Sequence, residues 1–472
     1  MKLVLVLPLV VAAGCAVGPG YERQAPPQET RYLAAPAALP SAGPSDVSQR
    51  IAGSGVVPES WWQGFGSAPL DDLVNRALTK SPTLETARAT LAAAKEAVVT
   101  ARGALVPQID VGATASRNKG SAQLSASSGA TSVFSVGPNV SFPLDVFRGL
   151  RRRVEQVSAQ ADVQRAALGA AYLSLSGNVV TQAINVASAA EQLSAVAEII
   201  AIDERNLELT KLAAAAGKSA QLDVLIATSQ LASDGTLLPP LRQAHDAAWH
   251  ALSVLTGEAP GAETPPEFRL GELTLPGELP LVLPAELVRS RPDIVAAEAQ
   301  LHAANAGIGI ATAQLYPAFT ISGSWNREAI RGAGLFDTTA NLWNIAAGLT
   351  APIFHGGALR AQRRAAVDTY AADLGTYRET VLQAFGQVAD VLAALGHDAE
   401  AIAAQRVARD ASQASLELTQ QGYQAGFASL VQVLDAQRLF QQARLGYARA
   451  QAQRYLDTVQ LYVAMGGGTR VE

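Results

Sequence analysis

The sequence is short of the residues that stapled domains, soft-metal carriers and membrane-spanning helices depend on. It holds one cysteine, Cys15, so no intramolecular disulfide can form. Only two methionines, Met1 and Met465, accompany that cysteine in the whole chain, which lends no support to a route for soft metals. Beyond the N-terminus there is no uncharged apolar run of about 18 residues, which excludes an apolar transmembrane helix there. Basic residues are outnumbered, 36 to 41, and the net charge of -5 argues against a nucleic-acid partner. The five histidines, His245, His250, His302, His355 and His397, are scattered. His245 and His250 fall off a common helical face, so no metal site is expected. No Walker loop, dinucleotide fingerprint or nucleophile elbow is present, and Gly466-Gly467-Gly468 sits in a terminal tail with no phosphate role. Nothing in the chain reads as an enzyme.

Proline is also missing, but only locally, from Leu144 to Leu238 and from Ile353 onward. Proline breaks helices, so these gaps permit very long ones. Inside each lies the same phrase, Leu207-Glu208-Leu209-Thr210 and Leu416-Glu417-Leu418-Thr419. Each phrase is followed by a glycine and then a serine: Gly217 with Ser219, Gly426 with Ser429. Glycine accepts the left-handed C-cap and serine offers an N-cap oxygen. Ser429 has Gln432 at the capping-box spacing. Each stretch reads as a helical hairpin bent at its glycine, with an ascending arm of about 70 residues, or roughly 100 Å.

Between the prolines the period changes. A short amphipathic helix over 69–80 carries Leu70, Leu73, Val74, Ala77 and Leu78, and a second helix runs from Thr83 to Val106. After Pro107, Ile109, Val111, Ala113 and Ala115 alternate with small polar residues. A second strand puts Phe134, Val136, Val140 and Phe142 on one face and is closed by Pro143. The same order follows Pro292: a helix to Leu315, Pro317, a strand with Phe319, Ile321 and Trp325, a loop, and a strand with Trp343, Ile345, Ala347 and Leu349 closed by Pro352.

The halves align by number. Pro82 and Pro292 lie 210 residues apart, as do Pro107 and Pro317, while Pro143 and Pro352, Leu207 and Leu416, and Gly217 and Gly426 lie 209 apart. The chain is a duplication. Residues 1–14 read as a leader and 15–57 as an extended Pro/Gly/Ser/Ala-rich tether rather than a packed element. The first repeat is 58–268, with a short helix, a second helix, a β-hairpin at 108–144 and a long helical hairpin at 145–256. The second is 269–472, with the same elements, its β-hairpin at 318–353 and its helical hairpin at 354–465.

Four strands of about ten residues, apolar on one face and small-polar on the other, match transmembrane β-strands. Open sheet edges are not tolerated in lipid, and about eight strands are needed to close a barrel. Copies of the chain must therefore pool their strands. Three copies give twelve; the pattern alone leaves two or four open. The fold expected is mainly helical with a shared transmembrane β-barrel.

Several phrases resemble one family. They are Cys15-Ala16-Val17-Gly18-Pro19-Gly20-Tyr21, Trp61-Trp62 with Phe65, Leu70-x-x-Leu73, Arg291-Pro292-Asp293-Ile294 with Ala297-Glu298, Tyr423-x-x-Gly426, and Leu434-Asp435-Ala436-Gln437. Together they look like the outer-membrane-factor lipoproteins, the TolC-like, NodT/OprM-type exit ducts of tripartite efflux pumps. The resemblance implies a homotrimer, a twelve-strand outer-membrane barrel and a periplasmic helical tunnel. It also implies a periplasmic adaptor protein and an inner-membrane transporter, often of the resistance-nodulation-division class. Cys15 follows Ala12-Ala13-Gly14 as in a lipobox, so the expected modification is a covalent lipid there, with no other cofactor. Ala16, rather than Asp, leans toward the outer membrane. The family constricts its periplasmic end just after the second hairpin turn; the matching positions are Val431 and Asp435, four apart on one face. Asp435 also reads as a plain solvated or dipole-stabilised carboxylate. Gly217, Ser219, Gly426 and Ser429 match the tips that dock the adaptor. Gly422 stands where family members often have Arg, which leaves the gate wiring open. A type I protein-secretion duct and a non-conducting coiled-coil lipoprotein are the competing readings, and the cargo is not legible.

Overall fold

A computed structural model describes residues 17–25, 27–28, 31–33, 49–52, 55, 57–119, 130–262 and 266–467. The leader at 1–14, Cys15 and much of the expected tether lie outside the described residues. In chain order the strands are β1 (Arg50–Ala52), β2 (Gln108–Lys119), β3 (Ala130–Leu144), β4 (Glu278–Pro280), β5 (Ala318–Ala329) and β6 (Asn341–Thr350). The helices are α1 (Ala68–Lys80), α2 (Pro82–Gly103), α3 (Gly149–Ala215), α4 (Gln221–Gly235), α5 (Leu238–Leu255), α6 (Pro284–Ser290), α7 (Pro292–Ala313), α8 (Ala358–Gln424) and α9 (Leu430–Ala464). Both α3 and α8 have 67 residues, a length the proline gaps permit. Among the described residues no helix is long and apolar enough to cross a membrane.

The chain divides into two compact units. The first comprises Met1–Gln24, Ala89–Arg165 and Ala296–Arg378. It contains one antiparallel sheet in the order β2-β3-β5-β6. The outer ladders are the two hairpins, one from each repeat, and the β3–β5 ladder joins the repeats. The register puts Ile109 opposite Val140, Phe142 opposite Ile321, Phe319 opposite Leu349 and Trp325 opposite Trp343. The alternating apolar residues read from the sequence in all four strands thus share one face. In this single chain that face is exposed at Ile109, Val111, Trp343 and Ile345.

Two details of this unit differ from expectation. Pro143 does not close β3, which runs through it to Leu144 and pairs Pro143 with Thr320. β2 ends its pairing at Ser141, so Pro143 lies beyond the β2 ladder and its missing N–H costs no bond on that side. Further in, the β3–β5 ladder skips Gly137 and Pro138. A Cβ at Gly137 would meet the Trp325 carbonyl oxygen, so only glycine fits that crossing. The first long helix begins at Gly149 rather than directly after Pro143, because the Asp145 carboxylate accepts from the N–H groups of Leu150 (2.8 Å) and Arg151 (2.9 Å) and caps it there.

The described part of the expected tether packs instead of hanging free. In the first unit Tyr21 stacks on His302, centroid to centroid 4.2 Å, and Arg23 forms a two-pronged ion pair with Glu298 at 2.6 and 2.7 Å. His302 in turn lies 2.9 Å from Glu155. These aromatic and charged side chains give an otherwise Pro/Gly-rich strip its points of attachment, which composition alone averages away.

The second unit comprises Ala25–Arg88, Ala166–Val295 and Glu379–Glu472. Here β1 pairs in parallel with β4, a short sheet that the sequence did not announce, Arg50 opposite Glu278. A single-turn helix at Trp61–Phe65 leads into α1, whose Leu70, Leu73, Val74 and Ala77 are all buried. Trp61 lies flat against Tyr462 at 5.1 Å. Arg291 is buried and bonds Asp293 through Nε at 2.9 and 3.1 Å and the Ala464 carbonyl through Nη1 at 3.0 Å. That ties the α6–α7 corner to the last turn of α9. The first hairpin's descending arm is split into α4 and α5, where Pro239 and Pro240 open a new helix, whereas α9 is continuous over 35 residues.

Candidate functional site

The two hairpin turns, both in the second unit, are built alike. The Lys218 N–H donates to Ala213 O at 2.8 Å and Gly217 N–H to Ala214 O at 3.0 Å. The Phe427 N–H donates to Gly422 O at 2.8 Å and Gly426 N–H to Tyr423 O at 3.0 Å. This is the Schellman arrangement, and it holds Gly217 and Gly426 at φ 71° and 80°. The next helix starts after the third residue beyond each glycine. In the second hairpin that residue is Ser429, whose Oγ accepts from Gln432 N–H at 3.3 Å while Gln432 Oε1 accepts from Ser429 N–H at 2.7 Å. In the first it is Ala220, so Ser219 is not the N-cap that spacing suggested. Ser219 sits one residue too early; its hydroxyl donates to Asp223 at 2.6 Å, and Asp223 also accepts the Ala220 N–H at 3.1 Å.

Val431 and Asp435 share the exposed side of α9, opposite the buried Val433, Leu434, Ala436 and Gln437. Leu439 extends the same stripe and was not anticipated. Asp435 is not a bare carboxylate: it accepts from Arg438 Nη2 at 2.7 Å, with both side chains about half exposed. Phe427, at the turn, is 89% exposed.

The larger surprise lies on the buried side. Asp203 of α3 and Asp234 of α4 are 2% and 4% exposed, and glutamines one turn apart on α9 hold them side by side. Gln437 donates to Asp203 Oδ1, and Gln441 to Asp234 Oδ1 at 3.1 Å. Gln230 donates to Asp234 Oδ2 at 2.9 Å. Asn206 steadies Gln437 at 3.3 Å. Burial, then the hydrogen bond to Asp234, pushes Asp203 up to about 7, and Gln437 pulls the other way. A signal for this group was available: Asp203 interrupts the apolar stripe Val196, Ile199, Leu207.

The four junction prolines do not form one site. Pro143, Pro317 and Pro352 line a cleft of about 560 Å³ in the first unit, with Phe147 stacked on Tyr316 at 4.7 Å, and Pro107 is not among its lining residues. Among the described residues no cluster of His, Cys, Asp and Glu could hold a metal ion.

The sequence matches the family model described as outer membrane efflux protein over residues 73–258 and 283–467. It is 31% identical to the pyoverdine export outer membrane protein OpmQ of Pseudomonas aeruginosa, over 99% of this chain and 96% of that one. It is 29% identical to nodulation protein T of Rhizobium leguminosarum bv. viciae, over 98% and 92%. The structure superposes on that of the outer-membrane channel OprN with a TM-score of 0.86 and 26% identity, covering 96% of this chain and 99% of that one.

Proposed function

The chain belongs to the outer membrane efflux protein family, and from that premise we propose how it works as an outer-membrane efflux channel of TolC-like fold. It assembles as a homotrimer whose sheets close one twelve-strand barrel. It receives small molecules from a periplasmic adaptor and an inner-membrane transporter of the resistance-nodulation-division class, and passes them outward without chemistry. The observation that carries the reading is the apolar face of the β2-β3-β5-β6 sheet, whose two outer edges are unpaired among the described residues. Cys15 carries the lipid that anchors the tether, and the chain needs no cofactor.

The tips at Gly217 and Gly426 dock the adaptor. Val431 and Asp435 line the periplasmic constriction, where copies brought together on an axis place a dry ring beside a charged one. Crowded carboxylates repel and favour cations, and Arg438 tempers that repulsion. OpmQ exports pyoverdine, and a secreted small molecule is the cargo class that fits this chain.

Conductance in planar bilayers, with the mass of the detergent-extracted protein, tests the reading. Trimers giving cation-biased, mostly closed channels support it. A monomer without conductance overturns the shared barrel and returns the coiled-coil spacer to first place.

A further inference from the structure

Ionised carboxylates only accept hydrogen bonds, so two of them side by side need a proton between them. Among the described residues Asp203 Oδ2 has no side-chain donor, and its neighbour is Asp234. The remaining oxygens are taken by amides: Gln437 on Asp203 Oδ1, Gln441 on Asp234 Oδ1 and Gln230 on Asp234 Oδ2. Gln437 and Gln441 both belong to α9, one turn apart and two to six residues beyond Asp435. The cluster therefore joins three helices, with both arms of the first hairpin on one side and the descending arm of the second on the other.

We propose that Asp203 and Asp234 hold one proton between them and, through Gln437 and Gln441, latch the tip-proximal part of α9 to the first hairpin, so that loss of the proton frees the segment bearing Val431 and Asp435. The role rests on the gated-duct reading above.

Among the described residues, no cation acts on Asp203 to replace the proton. α3 presents Asp203 and Asn206, α4 presents Asp234 and Gln230, and α9 presents Gln437 and Gln441. The nearby arginines of α9 are engaged elsewhere, Arg438 with Asp435 at 2.7 Å and Arg444 with Glu198 at 2.6 Å. With the proton gone, two buried negative charges face each other and repel. The acid is raised in the folded state, so its bound proton favours the latched form at low pH. That preference fades as pH climbs toward about 7 and is gone above it. Acid closes the latch; alkali releases it.

The test uses the full-length protein in detergent and in planar bilayers. Open probability should rise about tenfold between about pH 6 and pH 8. Asp203→Asn with Asp234→Asn, whose amides pair without a proton, should stay mostly closed at both. Gln437→Leu with Gln441→Leu should stay open at both. Hydrogen exchange over residues 430–441, compared between variants at matched pH, reads the latch without transport. Protection there should fall with pH in the wild type, stay high in the Asn pair and stay low in the Leu pair. Identical pH profiles in the wild type and the Asn pair overturn the latch. A protein that conducts at no pH overturns the duct reading, and exchange then decides the latch alone.

Discussion

The Arg291 guanidinium donates to the main-chain oxygen of Ala464 at 3.0 Å, across 173 residues of sequence. An arginine is thereby spent on an orphan carbonyl at a helix end while Asp293 holds its other side. Arg291→Ala should cost about 3 kcal/mol, since it strips a buried carbonyl and a carboxylate of their partner together. Arg291→Lys should recover less than half of that, because an ammonium cannot reproduce the fork. Thermal unfolding of the extracted protein measures both, and a loss under about 0.5 kcal/mol for the alanine variant would show the contact to be idle.

The two turns make opposite demands on their serines. Ser429→Ala removes a capping oxygen and should cost about 1 kcal/mol, seen as faster exchange in the first turn of α9. Ser219→Ala leaves Asp223 bonded to the Ala220 N–H and should change stability by less than about 0.5 kcal/mol. Equal losses would mean that the backbone hydrogen bonds, not the caps, decide both turns.

How far this was readable from sequence follows from which physics was local. Strand faces came from a strict period of two, and the register then had to place Trp325 against Trp343. The capping box at Ser429 is a four-residue event and was legible. Ser219 misled because its glycine spacing is one short, so the cap fell on Ala220. Pro143 looked like a terminator because the absence of β2 alongside it is a property of the ladder, not of the residue. The Asp203–Asp234 pair and the attachment of Tyr21 to His302 are contacts between distant segments. No period announces them beyond a charge out of place on an apolar stripe.

If Asp435 lines the proposed constriction, its pairing with Arg438 sets two signs there. Asp435→Ala should weaken cation selectivity, since the ring loses its carboxylates. Arg438→Ala should strengthen cation selectivity by about twofold or more, because the carboxylates are then unneutralised. Reversal potentials in a salt gradient read both. Unchanged selectivity in the Asp435 variant would confine that residue to the solvated exterior.

A second acid, the half-buried Asp398, gives a pH dependence to stability. Burial, followed by its hydrogen bond to Asp457, raises Asp398 to about 7, with Arg454 opposing. The unfolded chain sheds this proton near the usual carboxylate value while the folded one keeps it. Stability contributed here is full below about pH 4 and lost by about pH 7. The melting temperature should therefore drop across that window, and Asp398→Asn should flatten the drop. A variant that melts with the wild-type pH slope would assign the slope to other groups.

The β3–β5 ladder also has a genetic reading. It fixes two hairpins inside one chain and, among the described residues, leaves one side of β2 and one side of β6 without a partner strand. In the proposed trimer each copy is a link with two ends, and one link with a spoiled end leaves the whole ring open. Co-expressed in equal amount with the normal chain, a copy damaged only along the free side of β2 leaves about one ring in eight intact. Such an allele is dominant, and its severity counts the subunits.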